Sequence, residues 1–381
     1  MDRIVVDLND RRPIWAIPAW AAQELRQALP EGWSLDVATT PADGSGDGGG
    51  GPHPEVLEAV KGARVYIGYG VPPEILQAGK GSLEWVHTGT AGVGSSLHGE
   101  MRRSDVRFTN SAGIHGPPMA ETVVGMLLHF FRGFDFAVGA QRRAQEKHRW
   151  DPAPFLADDT PVRELSSATV GILGYGGIGR EVGRRLRALG ARVVGLKRTP
   201  PEGVDRGGRA GAALRPADAA SRPADDVLRP ADVDGPTDAH GVELLHGPQG
   251  LERLLPLSEA LVITVPDTPA TRGLLDRERL RALPRGAVLV NVARGAVLDE
   301  DALAEALVDG HLRGAGLDVF RTEPLPVDSP LWSLSNVLVT PHVSGVSRGF
   351  WRRQVDLILE NFRRFQAGEP LLNEVDRDAG Y

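Results

Sequence analysis

One glycine-rich turn constrains this chain more than any other feature. The turn, Gly-Tyr-Gly-Gly-Ile-Gly at 174–179, lies between the apolar run Val170–Leu173 and a helical pattern from Arg180 to Leu189. A strand that enters a helix through such a turn is typical of dinucleotide-binding domains, because glycine lets the backbone approach a pyrophosphate at the helix N-terminus. A purely structural turn is the alternative in a chain with 47 glycines. The predicted cofactor-binding residues of the turn are Gly174, Gly176, Gly177, Ile178 and Gly179.

Short apolar runs alternate with helical patterns along most of the chain. In the N-terminal part, strands are predicted at Ile4–Val6, Val65–Ile67, Trp85–His87 and Val106–Phe108. Further on, strands are predicted at Val170–Leu173, Val193–Leu196, Ala260–Ile263, Val288–Val290 and Val337–Val339, and a last helix at Arg348–Phe365. Strands separated by helices indicate βα units and mostly parallel sheets. With 381 residues the chain is long enough for two domains, each with its own core.

Composition and charge exclude several classes of function. The net charge is −7 with Lys and Arg scattered, which gives no electrostatic footprint for nucleic acid. The absence of cysteine excludes disulfides, zinc-thiolate sites and a cysteine nucleophile. No signal-peptide pattern opens the chain, and the most apolar helical stretch, Val123–Phe131, is too short to span a bilayer. His240 and His246 form no ligand pair and are expected at exposed positions, so we predict no metal. A cytoplasmic enzyme without a nucleic-acid or membrane partner is expected.

Three segments stand apart from this pattern. Met119–Gln145 is the longest helical pattern, and Pro117-Pro118 marks its start. Residues 43–54 are rich in glycine, which predicts a flexible loop. Residues 200–240 contain Arg-Pro-Ala-Asp three times and no aromatic residue. A proline in each repeat excludes a continuous helix and favours a disordered insertion, with a partner-binding loop as the alternative.

The residues after the strand Val193–Leu196 predict the cofactor. NAD-preferring sites usually place Asp or Glu about 20 residues after the glycine turn, to bond the ribose 2′-hydroxyl. Here Lys197, Arg198 and Thr199 follow the strand, and the next carboxylate is Glu202. Two cations and a hydroxyl favour a 2′-phosphate through charge-assisted hydrogen bonds. NADP(H) is therefore the predicted cofactor. NAD(H) is the alternative if the two cations are solvated surface charges.

Three polar residues in the last third of the chain predict the chemistry. Arg294 lies in Asn-Val-Ala-Arg-Gly, Glu323 in Thr-Glu-Pro, and His342 in Thr-Pro-His-Val-Ser-Gly. Arg294 and His342 each follow a predicted strand, at the edge where open α/β folds bind ligands. A guanidinium can hold a carboxylate, a histidine can donate a proton, and a nearby carboxylate favours the imidazolium. Together they predict reduction of a 2-oxo acid; surface ion pairs or a structural histidine are the alternatives for each residue taken singly.

These motifs and the glycine turn resemble the D-isomer-specific 2-hydroxyacid dehydrogenases over most of the chain. The resemblance implies an α/β fold of two Rossmann-like domains with parallel sheets, one flavodoxin-like and one NAD(P)-binding, with the active site in the cleft between them. It places a substrate domain at residues 1–115 plus 345–381 and a dinucleotide-binding domain at 116–344, with the insertion at 200–240. It also implies that the helix from Met119 builds a homodimer contact; a plain core helix is the alternative.

The resemblance also assigns roles to residues. His342 becomes the general acid/base, Glu323 its partner and Arg294 the substrate clamp, with acid catalysis contributing roughly 10²–10⁴-fold. Thr90-Ala91-Gly92-Val93-Gly94 resembles a loop whose amides hold the substrate carboxylate, although the family commonly has an acidic or amide residue at Gly94. The implied substrate-binding residues are Ala91, Gly92, Val93 and Arg294. The further cofactor contacts are Val265, Pro266, Thr271, Ala293 and Asp318, with Asp318 assigned to the nicotinamide carboxamide. Ordinary turns and caps are the alternatives for these segments.

The expected function is NAD(P)-dependent reduction of a small 2-oxo acid to a D-2-hydroxy acid. The segment Leu371–Asp376 and the Lys197-Arg198 pair look most like glyoxylate/hydroxypyruvate reductases. Glu323 counts against formate dehydrogenases, which have glutamine at the resembling position. The alternative is an NAD(H)-sensing, corepressor-like scaffold without turnover, but the chain has neither a basic patch nor a recognisable recruitment motif.

Overall fold

The structure is a computed structural model that describes residues 1–41, 51–147, 152–156, 158, 160, 162–198, 237–378 and 380. Thr199 and most of the two unusual segments, at 42–50 and 199–236, lie outside these ranges. The chain forms two compact units. The first contains Met1–Pro118 and Gly345–Tyr381, and the second contains Met119–Ser344.

The first unit contains a parallel sheet of five strands in the order β2-β1-β3-β4-β5. Its elements up to residue 110 are β1 (Asp2–Asp7), α1 (Ala19–Gln27), β2 (Trp33–Val37), α2 (Pro54–Val60), β3 (Val65–Gly68), α3 (Pro73–Ala78), β4 (Trp85–Thr88), α4 (Gly99–Arg103) and β5 (Arg107–Asn110). Successive strand residues face opposite sides, so Ile4 and Val6 lie in one core and Val5 in the other. Both faces of the sheet are therefore covered, as parallel sheets require.

The second unit contains a parallel sheet of seven strands in the order β12-β11-β10-β9-β6-β7-β8. Its elements are α5 (Gly116–Phe131, whose first turn belongs to the first unit), α6 (Phe134–Lys147), α7 (Ala153–Leu156), β6 (Thr169–Leu173), α8 (Gly177–Ala188), β7 (Arg192–Lys197), β8 (Glu243–His246), α9 (Gly247–Leu257), β9 (Ala260–Ile263), α10 (Arg277–Arg281), β10 (Ala287–Asn291), α11 (Glu300–Val308), β11 (Leu312–Leu317) and β12 (Val337–Val339). Helices α5 and α8 pack on one face, and α9, α10 and α11 on the other.

After β12 the chain returns to the first unit as α12 (Phe350–Ala367). Val355, Ile358 and Phe362 of this helix lie in the same core as Ile4. The helix ends at Gly368, whose φ of 67° is a left-handed C-cap that glycine adopts without strain. Both ends of the chain thus contribute to the first unit.

Most strand predictions and the fold class are confirmed. The prediction of one helix over Met119–Gln145 is wrong, because α5 and α6 are separated at Gly133. Gly133 has a φ of 67°, and a Cβ there would lie 2.8 Å from Val162 Cγ2. Among the described residues, three strands were not predicted, namely β2, β8 and β11.

Helix α5 is apolar, and α6 follows it after a break of two residues. Among the described residues no single helix is both long and apolar enough to cross a membrane. Gly116–Phe131 and Phe134–Gln141 reach that length and composition only together, with a bend of 70° between them. Val123, Leu127 and Phe130 of α5 are buried in the core of the second unit.

The first unit buries a histidine completely. His87, in β4, contacts Thr109 Oγ1 through Nδ1 at 2.9 Å and Ser111 Oγ through Nε2 at 3.0 Å, and the Gln354 side-chain amide of α12 lies 3.1 Å from Nε2. Ser111 Oγ also donates to Thr88 O, so the network ends beside the loop that follows β4. Burial lowers the pKa of His87 from 6.5 to about 3, and the imidazole is neutral at neutral pH.

We predict that His87 makes the first unit less stable in acid. Between pH 6.5 and about 3 the unfolded chain binds a proton at this position that the folded unit does not. The free energy of unfolding therefore falls as pH drops through this window, by up to about 1.4 kcal/mol per pH unit. Asp7, whose pKa is raised by burial, acts in the opposite direction and is present in every variant.

Urea unfolding followed by tryptophan fluorescence measures this effect, because five of the seven tryptophans lie in the first unit: Trp15, Trp20, Trp33, Trp85 and Trp351. His87→Gln should flatten the dependence of the midpoint on pH between 7 and 5, whatever its effect on the midpoint itself. Exposed His53→Gln is the control and should keep the wild-type slope. An unchanged slope in His87→Gln would contradict the prediction.

Candidate active site

The glycine turn lies where the order of the large sheet reverses. Strand β6 has β7 on one side and β9 on the other, and the chain reaches β9 only after β7 and β8. Such a switch point opens a crevice at the carboxyl ends of the strands, where α/β folds bind ligands. Thr264, directly after β9, lies against the turn there, since its Oγ1 donates to Gly174 O at 2.7 Å.

The turn glycines differ in what surrounds them. Gly174 has a φ of 102°, and a Cβ on Gly179 would lie 2.5 Å from Gly174 O, so the turn and α8 approach too closely for a side chain. A Cβ on Gly176 would meet nothing within 4 Å. That open space at the start of α8 is a cradle in which backbone amides can face a pyrophosphate. The residues of the turn therefore fit a dinucleotide.

Tyr175 connects the turn to the segment that leads into β8. Its ring is buried, and its hydroxyl donates to Asp238 Oδ2 at 2.6 Å. Asp238 Oδ1 accepts from the amides of His240 and Val242 at 2.9 and 3.0 Å. Burial is the larger cause of a raised pKa at Tyr175, and this hydrogen bond is the second. The hydroxyl group therefore stays neutral and can donate. The chain is thereby fixed against the glycine turn shortly after residue 236.

Arg294 is held by the residue that ends β10. The buried Asn291 accepts from Ala293 N at 3.0 Å and donates to Arg294 O at 3.1 Å. At the following residue, an ideal Cβ on Gly295 would lie 1.9 Å from the Phe320 carbonyl carbon. Only glycine permits this approach, which brings the Arg294 segment against the segment that contains Glu323.

Glu323 and His342 form a direct pair. Glu323 Oε2 lies 2.7 Å from His342 Nδ1, and Glu323 Oε1 accepts from Phe320 N at 3.0 Å. The side chains of His342 and Glu323 are 41% and 37% exposed, so the pair contributes little to stability. The pair instead orients the imidazole ring of His342. Nδ1 contacts Glu323, whereas Nε2 makes no hydrogen bond with another described residue. An imidazole fixed in this way can present Nε2 to a reacting group.

Asp318 holds the loop that contains His342. Its buried carboxylate accepts from Thr340 Oγ1 at 2.5 Å and from the amides of Val343 and Ser344, each at 2.9 Å. Its carbonyl oxygen accepts from His342 N at 2.8 Å. His342 has a φ of 55°, which a non-glycine residue adopts only when its surroundings impose it. These four hydrogen bonds hold that conformation.

In the first unit, the loop after β4 contains the residues predicted to bind the substrate carboxylate. Thr90 Oγ1 donates to Gly92 O at 2.6 Å and Asn110 Nδ2 donates to Ala91 O at 2.9 Å. Within the described residues, the amides of Ala91, Gly92 and Val93 donate no hydrogen bond. Successive amides in a turn can form an anion-binding concavity.

The remaining predicted residues are found at the ends of β7 and β9, the two neighbours of β6 in the large sheet. Lys197 ends β7 and Arg198 follows it, while Thr199 lies outside the described residues. A Cβ on Gly174 would lie 2.8 Å from Val265 N, so this segment borders the turn. Thr271 Oγ1 donates to Pro266 O at 2.6 Å and accepts from Thr268 N, closing that loop upon itself.

Some residues at the site were not predicted from the sequence. Asn291, Tyr175 and Asp238 orient the loops described above, and each gave only a weak signal, such as an asparagine directly after a buried strand. His246 was expected to be exposed, yet it is half-buried and its Nε2 is enclosed. In the part of the chain that the structure describes, no group of three or more His, Cys, Asp or Glu side chains is arranged to hold a metal ion.

The sequence matches the family described as D-isomer specific 2-hydroxyacid dehydrogenase, NAD binding domain, over residues 124–228 and 235–344. These ranges cover more than half of the chain and contain the glycine turn, Arg294, Glu323 and His342. The protein belongs to the D-isomer specific 2-hydroxyacid dehydrogenase family. It is therefore an NAD(P)-dependent oxidoreductase of this class, and the predicted resemblance is confirmed.

Solved structures agree with this assignment. The chain is 32% identical to a D-isomer specific 2-hydroxyacid dehydrogenase from Xanthobacter autotrophicus Py2 in complex with NADPH and MES, with a TM-score of 0.70, covering 100% of this chain and 99% of that one. It is 25% identical to an NADPH-dependent glyoxylate/hydroxypyruvate reductase from Sinorhizobium meliloti in complex with NADP and sulfate, with a TM-score of 0.68 and 100% of both chains covered.

We predict that Asp318→Asn impairs turnover more than cofactor binding. An amide in place of Oδ2 would set a donor against Ser344 N–H, and a buried hydrogen bond lost in this way costs about 1–3 kcal/mol. The loop would leave the conformation that orients His342. We expect kcat to fall roughly tenfold or more and the Kd for NADPH to change less than about threefold.

The measurement is kcat together with Kd from NADPH fluorescence, with exposed Asp328→Asn as the control for a changed charge. If Asp318 instead acts through the nicotinamide carboxamide, the Kd for NADPH rises at least as much as kcat falls. That pattern would contradict the loop-holding role.

Proposed function

We propose that this protein reduces a small 2-oxo acid of the glyoxylate or hydroxypyruvate type to the corresponding D-2-hydroxy acid with NADP(H). The observation that carries the proposal is the 2.7 Å contact between His342 Nδ1 and Glu323 Oε2. It lies in the unit that also contains the glycine turn, on loops that follow the carboxyl ends of β11 and β12, while Arg294 follows β10.

Arg294 supplies the substrate clamp in this proposal. Its planar guanidinium can hold a carboxylate, or one carboxylate oxygen and the adjacent 2-oxo oxygen. The positive charge also stabilises the negative charge that develops on the carbonyl oxygen during reduction. The backbone amides of Ala91, Gly92 and Val93, which donate no hydrogen bond within the described residues, are proposed to bind a carboxylate.

His342 supplies the proton. Glu323 fixes the ring through Nδ1, so a protonated imidazole presents Nε2–H to the carbonyl oxygen of the substrate. The nicotinamide supplies the hydride that adds to C2 when the cofactor is bound. In the reverse direction the neutral imidazole removes the proton from the hydroxyl group.

The cofactor assignment rests on the end of β7. Lys197 and Arg198 stand where NAD-preferring sites place a carboxylate, and both relatives described above were crystallised with NADPH or NADP. We propose that Lys197, Arg198 and Thr199 hold the 2′-phosphate. The pyrophosphate is assigned to Gly174, Gly176, Gly177, Ile178 and Gly179, and the rest of the cofactor to Val265, Pro266, Thr271 and Ala293. The resemblance assigns Asp318 to the nicotinamide carboxamide; we propose instead that it acts through the His342 loop, because its carboxylate already accepts three hydrogen bonds there.

Helix α6 supports a homodimer. The side chains of Phe134 and Val138 on this helix are 52% and 41% exposed. Exposed apolar side chains on one helix favour a protein partner. A second copy of the chain is the partner that the family resemblance implies.

The proposal predicts the results of initial-rate measurements with NADPH and NADH against glyoxylate, hydroxypyruvate, pyruvate and phenylpyruvate. We expect glyoxylate or hydroxypyruvate to give the highest kcat/KM, and NADPH to exceed NADH by at least tenfold. Arg294→Lys should raise KM for the 2-oxo acid roughly 10–100-fold, because lysine cannot make the bidentate contact.

Arg321→Lys is the matched control and should retain wild-type kinetics, since among the described residues the Arg321 side chain makes only an exposed ion pair with Asp301. Faster turnover with NADH would contradict the cofactor assignment alone. NADPH binding without turnover of any 2-oxo acid would contradict the proposed function.

A further inference from the structure

The end of β8 places an imidazole beside the cations assigned to the 2′-phosphate. Strands β7 and β8 are parallel neighbours, and Lys197 pairs with His246 in their register. Each is the last residue of its strand, and Arg198 follows Lys197 directly. Lys197, Arg198 and His246 therefore lie at one corner of the sheet, on the edge where α/β folds bind ligands.

One nitrogen of this imidazole has no partner. His246 Nε2 is enclosed, and it makes no hydrogen bond with any described residue. The side chain of His246 also makes no capping hydrogen bond to α9, which begins at the next residue. Buried polar atoms are nearly always paired, so an orphaned nitrogen at a ligand-binding edge indicates a partner that the protein itself does not supply.

The charged groups around His246 favour an anion as that partner. Burial lowers the pKa of His246, and the charge of Lys197 lowers it further. The carboxylates on the neighbouring elements are already engaged: Glu243 with Arg192 at 2.9 Å, Glu252 with Arg279 at 3.6 Å, and Asp238 with Tyr175. The remaining titratable groups on these elements are basic, namely Arg253 on α9 and His240 before β8.

We propose that His246 is a specificity residue for the 2′-phosphate of NADP(H), that it takes up a proton from solvent when this phosphate binds, and that it donates a hydrogen bond to a phosphate oxygen. The proposal rests on the NADP(H) preference proposed above, to which it adds a residue and a dependence on pH. NADH, which has a 2′-hydroxyl, does not recruit this proton.

The sign of the pH dependence follows from the two states of the imidazole. Without cofactor the imidazole is neutral at neutral pH, because its pKa lies below 6.5. A bound phosphate stabilises the imidazolium and raises that pKa. The additional affinity for NADPH is therefore absent at alkaline pH and grows as pH falls through the pKa of the bound state. It becomes constant below the pKa of the free state.

Titration calorimetry of NADPH and NADH binding tests the proposal at pH 6.5 and 8.5, in pairs of buffers with different ionisation enthalpies. The 2′-phosphate itself titrates near pH 6, so only the difference between wild type and His246→Gln reports the imidazole. At pH 6.5 we expect wild type to take up more protons per NADPH than His246→Gln, by a fraction of a proton approaching one. The variant should bind NADPH roughly tenfold less tightly at pH 6.5 and less than about threefold less tightly at pH 8.5.

The controls separate the possible failures. Exposed His240→Gln should bind both cofactors like wild type, and NADH affinity should be unchanged in His246→Gln. Equal proton uptake by wild type and His246→Gln, or an equal loss of NADPH and NADH affinity, would overturn the role of His246. Wild type that binds NADPH no more tightly than NADH at either pH would instead overturn the NADP(H) preference on which the inference rests.

A second measurement does not depend on the variant being well folded. In wild type with ¹³C-labelled histidine, one imidazole signal should titrate at a pKa below 6.5 without cofactor and at a higher pKa with NADPH, but not with NADH. Absence of an imidazole whose pKa rises only with NADPH would overturn the proposal.

Discussion

The site depends on one constraint: every strand of the seven-stranded sheet runs in the same direction. Each carboxyl end therefore reaches the same edge, and the loops that carry Gly174, Arg294 and His342 begin there. Gly174 and His342 lie 168 residues apart in the chain, with Arg294 between them. Each of the three nevertheless follows a strand of this sheet by one to three residues. Residues that are distant in the sequence therefore lie along the same edge of the sheet.

Hydrogen bonds to buried side chains then set the conformation of each loop. Asn291 fixes the segment of Arg294, and Asp318 fixes the segment of His342 in a left-handed conformation. Both residues lie at the ends of neighbouring strands, and Asp318 N donates to Asn291 O at 3.0 Å. The two loops are thus supported from a common base. Small displacements of this base would move both the proposed carboxylate clamp, Arg294, and the proposed proton donor, His342.

The sequence predicted those features that depend on local pattern. Runs such as Ala260–Ile263 are apolar enough to be read as buried strands, and the glycine turn carries its own geometry. Strand β11 was missed because Leu-Arg-Gly-Ala-Gly-Leu contains two glycines, which weaken strand propensity. The structure explains them: a Cβ on Gly314 would lie 2.5 Å from Phe130, and one on Gly316 would lie 2.8 Å from Met126, so helix α5 packs directly on the strand. Such long-range contacts have no local signal.

Three histidines show why the site could be predicted only in part. His87 is buried among hydroxyl groups and neutral, His246 is half-buried beside a lysine, and His342 is exposed and paired with a carboxylate. The residue type is the same in each case, and the three side chains differ only in their tertiary contacts, from which we propose a different role for each. Motif context distinguished His342, whereas nothing local distinguished the other two.

The central claim is that His342 delivers the proton while contributing little to cofactor binding. Single-turnover oxidation of NADPH by His342→Gln, with the preferred 2-oxo acid and with NADPH affinity measured in parallel, tests it most directly. The account predicts a rate reduced by roughly 10²–10⁴-fold at a Kd for NADPH within about threefold of wild type. A rate within about tenfold of wild type would contradict it.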